Sequence, residues 1–175
     1  VTAIIFYFAI YSLYRFISGG KKGFKLFWKN ILPPTVASVS TCSSAASIPV
    51  NITSAKNIGV SDDIAETMIP LGTSFHKDGS VIGSVFKIMF LVYLFNADVS
   101  TGKVILVALI STLLVTAIPV GGVTISETLI ITMMGFPLTA LPILTIVATI
   151  IDPAATLLNV VGDTSSSMLV SRVID

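Results

Sequence analysis

The segment from Asp152 to Asp163, Asp-Pro-Ala-Ala-Thr-Leu-Leu-Asn-Val-Val-Gly-Asp, constrains this chain most, because it sets two carboxylates in a strongly apolar neighbourhood. At about 100° per residue, a helix brings Asp152, Thr156, Asn159 and Asp163 onto one narrow stripe, while Ile151, Leu157, Leu158 and Val161 point elsewhere. A charge at bilayer depth costs at least about 2.5 kcal/mol even on the lenient insertion scale. Two acids on one stripe therefore require a partner, a bound ion or a water-filled site. The plainer alternative is a pair of helix-end aspartates solvated at the membrane surface.

The chain has 175 residues, 54% of them hydrophobic and only 11% charged, against about 25% charged in ordinary soluble domains. An all-α integral membrane protein is expected. A net charge of +1 gives no footprint for a nucleic-acid partner. The single cysteine, Cys42, excludes an internal disulfide and a thiolate metal cluster. The chain opens at Val1 inside an apolar run, with no basic region before a cleavage site. No signal peptide is expected, and the sequence reads as part of something longer.

In order, residues 1–20 form a first transmembrane helix, whose Tyr11, Tyr14 and Arg15 are the residue types that anchor a span at an interface. Lys21, Lys22, Lys25 and Lys29 follow without an acid, which places that side in the cytoplasm, with a lipid-binding basic patch as the alternative. Residues 21–60 contain two half-length apolar segments that meet in a Ser-rich tip, the pattern of a first re-entrant hairpin. Close helix packing is the other use of such serines. Residues 61–97 form a transmembrane helix broken at His76-Lys77-Asp78-Gly79-Ser80, where Lys77 and Asp78 can neutralise one another as a buried pair. Residues 98–136 repeat the hairpin device around Ile118-Pro119-Val120-Gly121-Gly122 and carry Glu127, and residues 137–175 form the long final amphipathic helix.

Two re-entrant hairpins, a broken helix and a polar last helix, in that order, resemble the dicarboxylate/amino acid:cation symporter family, the glutamate transporter homologues. Ser43-Ser44-Ala45-Ala46-Ser47-Ile48-Pro49-Val50 looks like the family's first hairpin tip, and Pro70 to Ser74 followed by Asp78-Gly79-Ser80 looks like its Asn-Met-Asp-Gly-Thr break. Pro119-Val120-Gly121-Gly122 looks like its second tip, and Asp152 to Asp163 like its last helix. The resemblance implies the mobile transport domain plus one preceding helix, without the family's N-terminal scaffold and trimerisation helices. It implies that Asp152 binds the substrate amino group, that Thr156 and Asn159 line the substrate site, and that Ser43 and Ser44 lie beside the substrate carboxylate. Asp163 and Asp78, with Gly72, Ser74 and Asn159, correspond to the cation sites; hard cations take such oxygen ligands.

Three departures matter. Ala155 stands where acidic-substrate members carry an Arg, so the bidentate clamp for a second carboxylate is absent and neutral substrates gain weight. His76 and Lys77 stand where the family has Asn-Met. Lys77 can pair with Asp78 in place of a bound sodium, or supply the charge missing at Ala155, and His76 makes proton coupling conceivable. The expected function is secondary active symport of a small amino acid or dicarboxylate driven by sodium ions or protons, with no other cofactor and no covalent chemistry. The expected setting is multi-pass in the cell membrane, among lipid, with a homotrimer for the complete protein. An intramembrane aspartyl protease is the rival from another class, opposed by the roughly 16 Å of helix axis between Asp152 and Asp163. A non-transporting structural fragment is the other.

Overall fold

The structure is a computed structural model that describes residues 1–116 and 122–174. Among the described residues every regular element is helical. The chain is an all-α membrane protein, and two of its helical stretches, Thr2–Asn30 and Leu138–Ile174, are long and apolar enough to cross a bilayer. Helix α1 (Thr2–Ile5) runs through a π-helical turn (Phe6–Ile10) into α2 (Tyr11–Asn30). Within α2, Gly20 adopts φ 57° and ψ −151°, a conformation closed to other residues, so the run breaks there into two helical pieces.

Helices α3 (Leu32–Thr41) and α4 (Ser44–Ile58) pack as an antiparallel hairpin, joined through Cys42 and Ser43. Cys42 is left-handed at φ 49°, which ends α3, and extended Ser43 accepts a 3.2 Å bond from Ala46 N–H as the N-cap of α4. Helix α5 (Asp62–Phe75) is followed by α6 (Asp78–Leu94). The interruption is narrower than the sequence suggests: only His76 and Lys77 lie outside helix, and Gly79 sits in the first turn of α6. Helices α7 (Thr101–Thr116) and α8 (Gly122–Met134) pack as a second hairpin. Its expected tip at Pro119, Val120 and Gly121 lies outside the described residues. A 3₁₀ turn (Leu138–Ala140) leads into α9 (Leu141–Ile174).

The chain divides into two compact units. The first comprises Val1–Gly79 and Pro153–Asp175, and the second Ser80–Asp152. The second unit has a conventional apolar core of Ile88, Leu91, Val107, Ile130, Ile131 and Leu144. The first unit instead buries many polar groups alongside Tyr11, Phe27, Ile69 and Val161, among them Ser38, Asn51, Asn159, Asp163, Thr164 and Ser167. Hydrocarbon offers a buried polar atom no water, so each such group has to find a partner inside the unit. Asn51 shows how: its Nδ2 donates to Val160 O at 2.9 Å and its Oδ1 accepts from Thr164, tying the second hairpin arm to α9.

Candidate functional site

In the first unit, α9 presents Asn159 and Asp163 one turn apart, and both are buried. Asp163 is only 1% exposed. Its Oδ2 accepts from Thr73 Oγ1 at 3.4 Å, and its Oδ1 is fully enclosed with no hydrogen-bond partner among the described residues. Space for this carboxylate exists because residue 72 is glycine: a Cβ there would stand 2.5 Å from Asp163 Oδ1.

The break between α5 and α6 supplies the other charges. His76 Nδ1 lies 3.4 Å from Asp163 Oδ1, without hydrogen-bond geometry, and His76 Nε2 lies 3.9 Å from Asp78 Oδ2. One imidazole therefore stands between two carboxylates. The Gly79 N–H, in the first turn of α6, is shared by Asp78 Oδ1 at 2.8 Å and Asn159 Oδ1 at 3.0 Å. Glycine is needed at residue 79 for proximity, since an added Cβ would run into the Ala155 carbonyl of α9. Gly162 does the same for the His76 ring, which would meet its Cβ.

Two residues taken from sequence as interface anchors are buried instead. Tyr11 is fully enclosed, with its hydroxyl on Asp78 and 2.8 Å from Leu158 O. Arg15 packs its guanidinium over the Phe27 ring, 3.0 Å from the centroid, with Trp28 at 4.8 Å and Ser165 Oγ at 3.5 Å from Nη2. Aromatic faces and a hydroxyl are what a desolvated guanidinium uses when no acid is at hand. The exposed basic cluster is thereby reduced to Lys21, Lys22, Lys25 and Lys29.

The remaining candidates fall as follows. Thr156 and Ala155 are buried on α9, while Asp152 is half-buried at the end of the α9 segment that belongs to the second unit. Ser43 and Ser44 form the start of α4, where unbonded N–H groups converge. The anticipated contact between Lys77 and Asp78 is not made: among the described residues Lys77 closes no ion pair, and the base beside Asp78 is His76. Ser74 is exposed, and the hydroxyl that reaches Asp163 is that of its neighbour Thr73, a residue the sequence reading passed over. Adjacent residues on a helix point about 100° apart, so only one of the two can face α9.

No group of three or more His, Cys, Asp or Glu among the described residues has the arrangement of a transition-metal centre. Beside the Asp163 carboxylate stand the Thr73 hydroxyl and the His76 ring, each at 3.4 Å; carboxylate and hydroxyl oxygens suit a hard monovalent or divalent cation.

A family model described as the sodium:dicarboxylate symporter family matches residues 1–173. Among curated proteins, neutral amino acid transporter A of Homo sapiens is 28% identical over 158 residues, covering 88% of this chain and 29% of that protein. An excitatory amino acid transporter of Caenorhabditis elegans is 24% identical over 154 residues, covering 86% of this chain and 30% of that protein. Excitatory amino acid transporter 2 of Mus musculus is 26% identical over 148 residues, covering 82% and 26%. The chain thus spans less than a third of the length of these relatives.

Proposed function

The chain belongs to the sodium:dicarboxylate symporter family, and on that premise we propose that it is the substrate- and ion-binding portion of a secondary symporter for a small amino acid or dicarboxylate. The observation that carries the reading is the Asp163 carboxylate, buried in the first unit against Gly72, its Oδ1 making no hydrogen bond among the described residues and facing only the His76 ring at 3.4 Å. A buried acid of that kind is stable only with a cation or a proton.

In this reading Asp163, Asp78 and Asn159, with backbone at Gly72 and Ser74, hold the coupling cation, sodium or a proton. His76 stands between the two acids as a tethered base; Lys77, the other coupling candidate by sequence, closes no ion pair among the described residues and has the lesser part. Asp152 takes the substrate ammonium, Thr156 and Asn159 line the site, and Ser43 and Ser44 offer the start of α4 to the substrate carboxylate. Ala155 leaves a second carboxylate without a guanidinium clamp, which favours a neutral amino acid, the class named for the human relative. Nothing is cleaved or formed, so the activity is transport and not enzymatic. The complete protein works as a multi-pass homotrimer in the cell membrane, surrounded by lipid.

The test is calorimetric binding of serine, alanine, aspartate and succinate to the whole protein that carries this chain, in sodium and in a non-coordinating cation, at two pH values. Saturable binding that requires sodium or follows pH, and that is lost in Asp163→Asn, is the expected result. Absence of saturable binding for all four ligands under every condition would refute the reading.

A further inference from the structure

Three segments of the first unit leave a cavity of about 510 Å³ where they meet. They are the break of α2 at Gly20, the link from α4 to α5 at Gly59 and Val60, and the last turns of α9. Lys22, from the second piece of α2, and Arg172, from the last turn of α9, both line it and both are exposed. Leu26, Ile58 and Met168 make an apolar wall. No acid lines the cavity among the described residues, and neither Lys22 nor Arg172 closes an ion pair with any of them. Of the described acids just beyond Val60, Asp62 and Glu66 are held by Lys56 at 3.4 and 2.7 Å, and Asp63 is exposed at the start of α5.

An ammonium and a guanidinium over an apolar wall define the chemistry of the occupant. A guanidinium grips phosphate oxygens with two parallel N–H bonds, and an ammonium adds a point charge. A hydrated inorganic anion gains nothing from Leu26, Ile58 and Met168, whereas an amphiphile buries hydrocarbon there. The helix that leads to the cavity also exposes Leu13, Phe16 and Ile17, spaced to share one face, on a stretch long enough to cross a bilayer. The run from Lys21 to Lys29 holds four lysines and no acid, which puts this end of the unit at the cytoplasmic surface. Basic pockets at that end of a span are where anionic headgroups settle.

We propose that this cavity is a binding site for an anionic membrane phospholipid, its phosphate held by Lys22 and Arg172 and its hydrocarbon lying along the apolar wall. The site is separate from Asp163 and the helix break, and it narrows the exposed lysine cluster to one residue with a defined partner on α9.

The experiment is native mass spectrometry of the whole protein that carries this chain, in neutral detergent, titrated with phosphatidylglycerol, with phosphatidylcholine of the same chains, and with inorganic phosphate. Saturable retention of phosphatidylglycerol, in preference to phosphatidylcholine and undisplaced by inorganic phosphate, is expected. Lys22→Gln and Arg172→Gln should each weaken it about fivefold, the worth of one basic residue against an anionic lipid. Lys22→Arg and Arg172→Lys keep the charge and should restore most of it. Lys21→Gln and Lys25→Gln remove the same charge outside the cavity and should cost clearly less. Equal losses from all four charge-removing variants would mean a diffuse basic surface and overturn the site. Equal retention of phosphatidylcholine, displacement by inorganic phosphate, or no retained lipid would overturn it as well.

Discussion

His76 Nδ1 stands 3.4 Å from Asp163 Oδ1, and the same ring reaches toward Asp78 on its other edge. A buried acid, Asp163, and a half-buried one, Asp78, thus share one base, which belongs to the break between α5 and α6. Lys77, next in sequence, makes no ion pair among the described residues. The two positions are therefore expected to differ sharply. His76→Asn replaces the base with an amide oxygen able to coordinate a cation, so sodium dependence of substrate binding should steepen. Lys77→Met should leave the sodium dependence within about twofold, the scale of an exposed or unpaired charge. Sodium titrations at fixed substrate give both slopes; equal effects from the two variants would remove His76 from the coupling site.

Three glycines keep this site open, and they differ in what a methyl group would strike. At residue 79 the obstacle is the Ala155 backbone, which cannot yield without moving α9. Gly79→Ala should cost about 1–3 kcal/mol of stability, the usual scale of overpacking. At residue 72 the obstacle is the Asp163 side chain, 2.5 Å away. Gly72→Ala should therefore cost less stability and more cation affinity, because the carboxylate can rotate at the expense of its geometry. Gly102→Ala meets nothing within 4 Å and serves as the control. Thermal unfolding and sodium titration of the three variants separate the two effects.

Asn51 is the polar bolt between the first hairpin and α9, donating to Val160 O and accepting from Thr164. Asn51→Leu keeps the volume but leaves the Thr164 hydroxyl and the Val160 carbonyl with fewer partners. A loss of about 1–3 kcal/mol is expected, concentrated in the hairpin. Hydrogen exchange should quicken in α3 and α4 before it changes in the second unit; uniform destabilisation would mean the bolt is not local.

Much of this was legible in the sequence, for identifiable reasons. The acidic stripe of α9 follows from helical periodicity alone, since Asn159 and Asp163 must share a face. The first hairpin was visible because two apolar segments are each too short to span and meet in serines. Tyr11 and Arg15 were misplaced because an aromatic and a base near the end of an apolar run have the same composition whether they anchor an interface or enter a core. Only packing against Phe27, Trp28 and Ser165 distinguishes the cases. Thr73 was passed over for Ser74 because two neighbouring hydroxyl residues differ in facing and in nothing else. Gly162 gave no signal at all, since its role depends on a ring brought from 86 positions earlier in the chain.

Tyr11 offers the most direct check that the first helix belongs to the site. Its hydroxyl is within reach of the Asp78 carboxylate and 2.8 Å from Leu158 O, and the residue is fully enclosed. Tyr11→Phe removes one oxygen and leaves no cavity around the ring, so packing losses are small. What remains is a half-buried acid that has lost a donor, a change worth about 1 kcal/mol. Thermal stability should fall accordingly in the cation-free protein. Added sodium should recover part of the loss, because an ion at Asp78 supplies the positive field that the hydroxyl no longer provides. A loss that sodium leaves untouched would mean that Tyr11 only supports the fold and that Asp78 takes no part in cation binding.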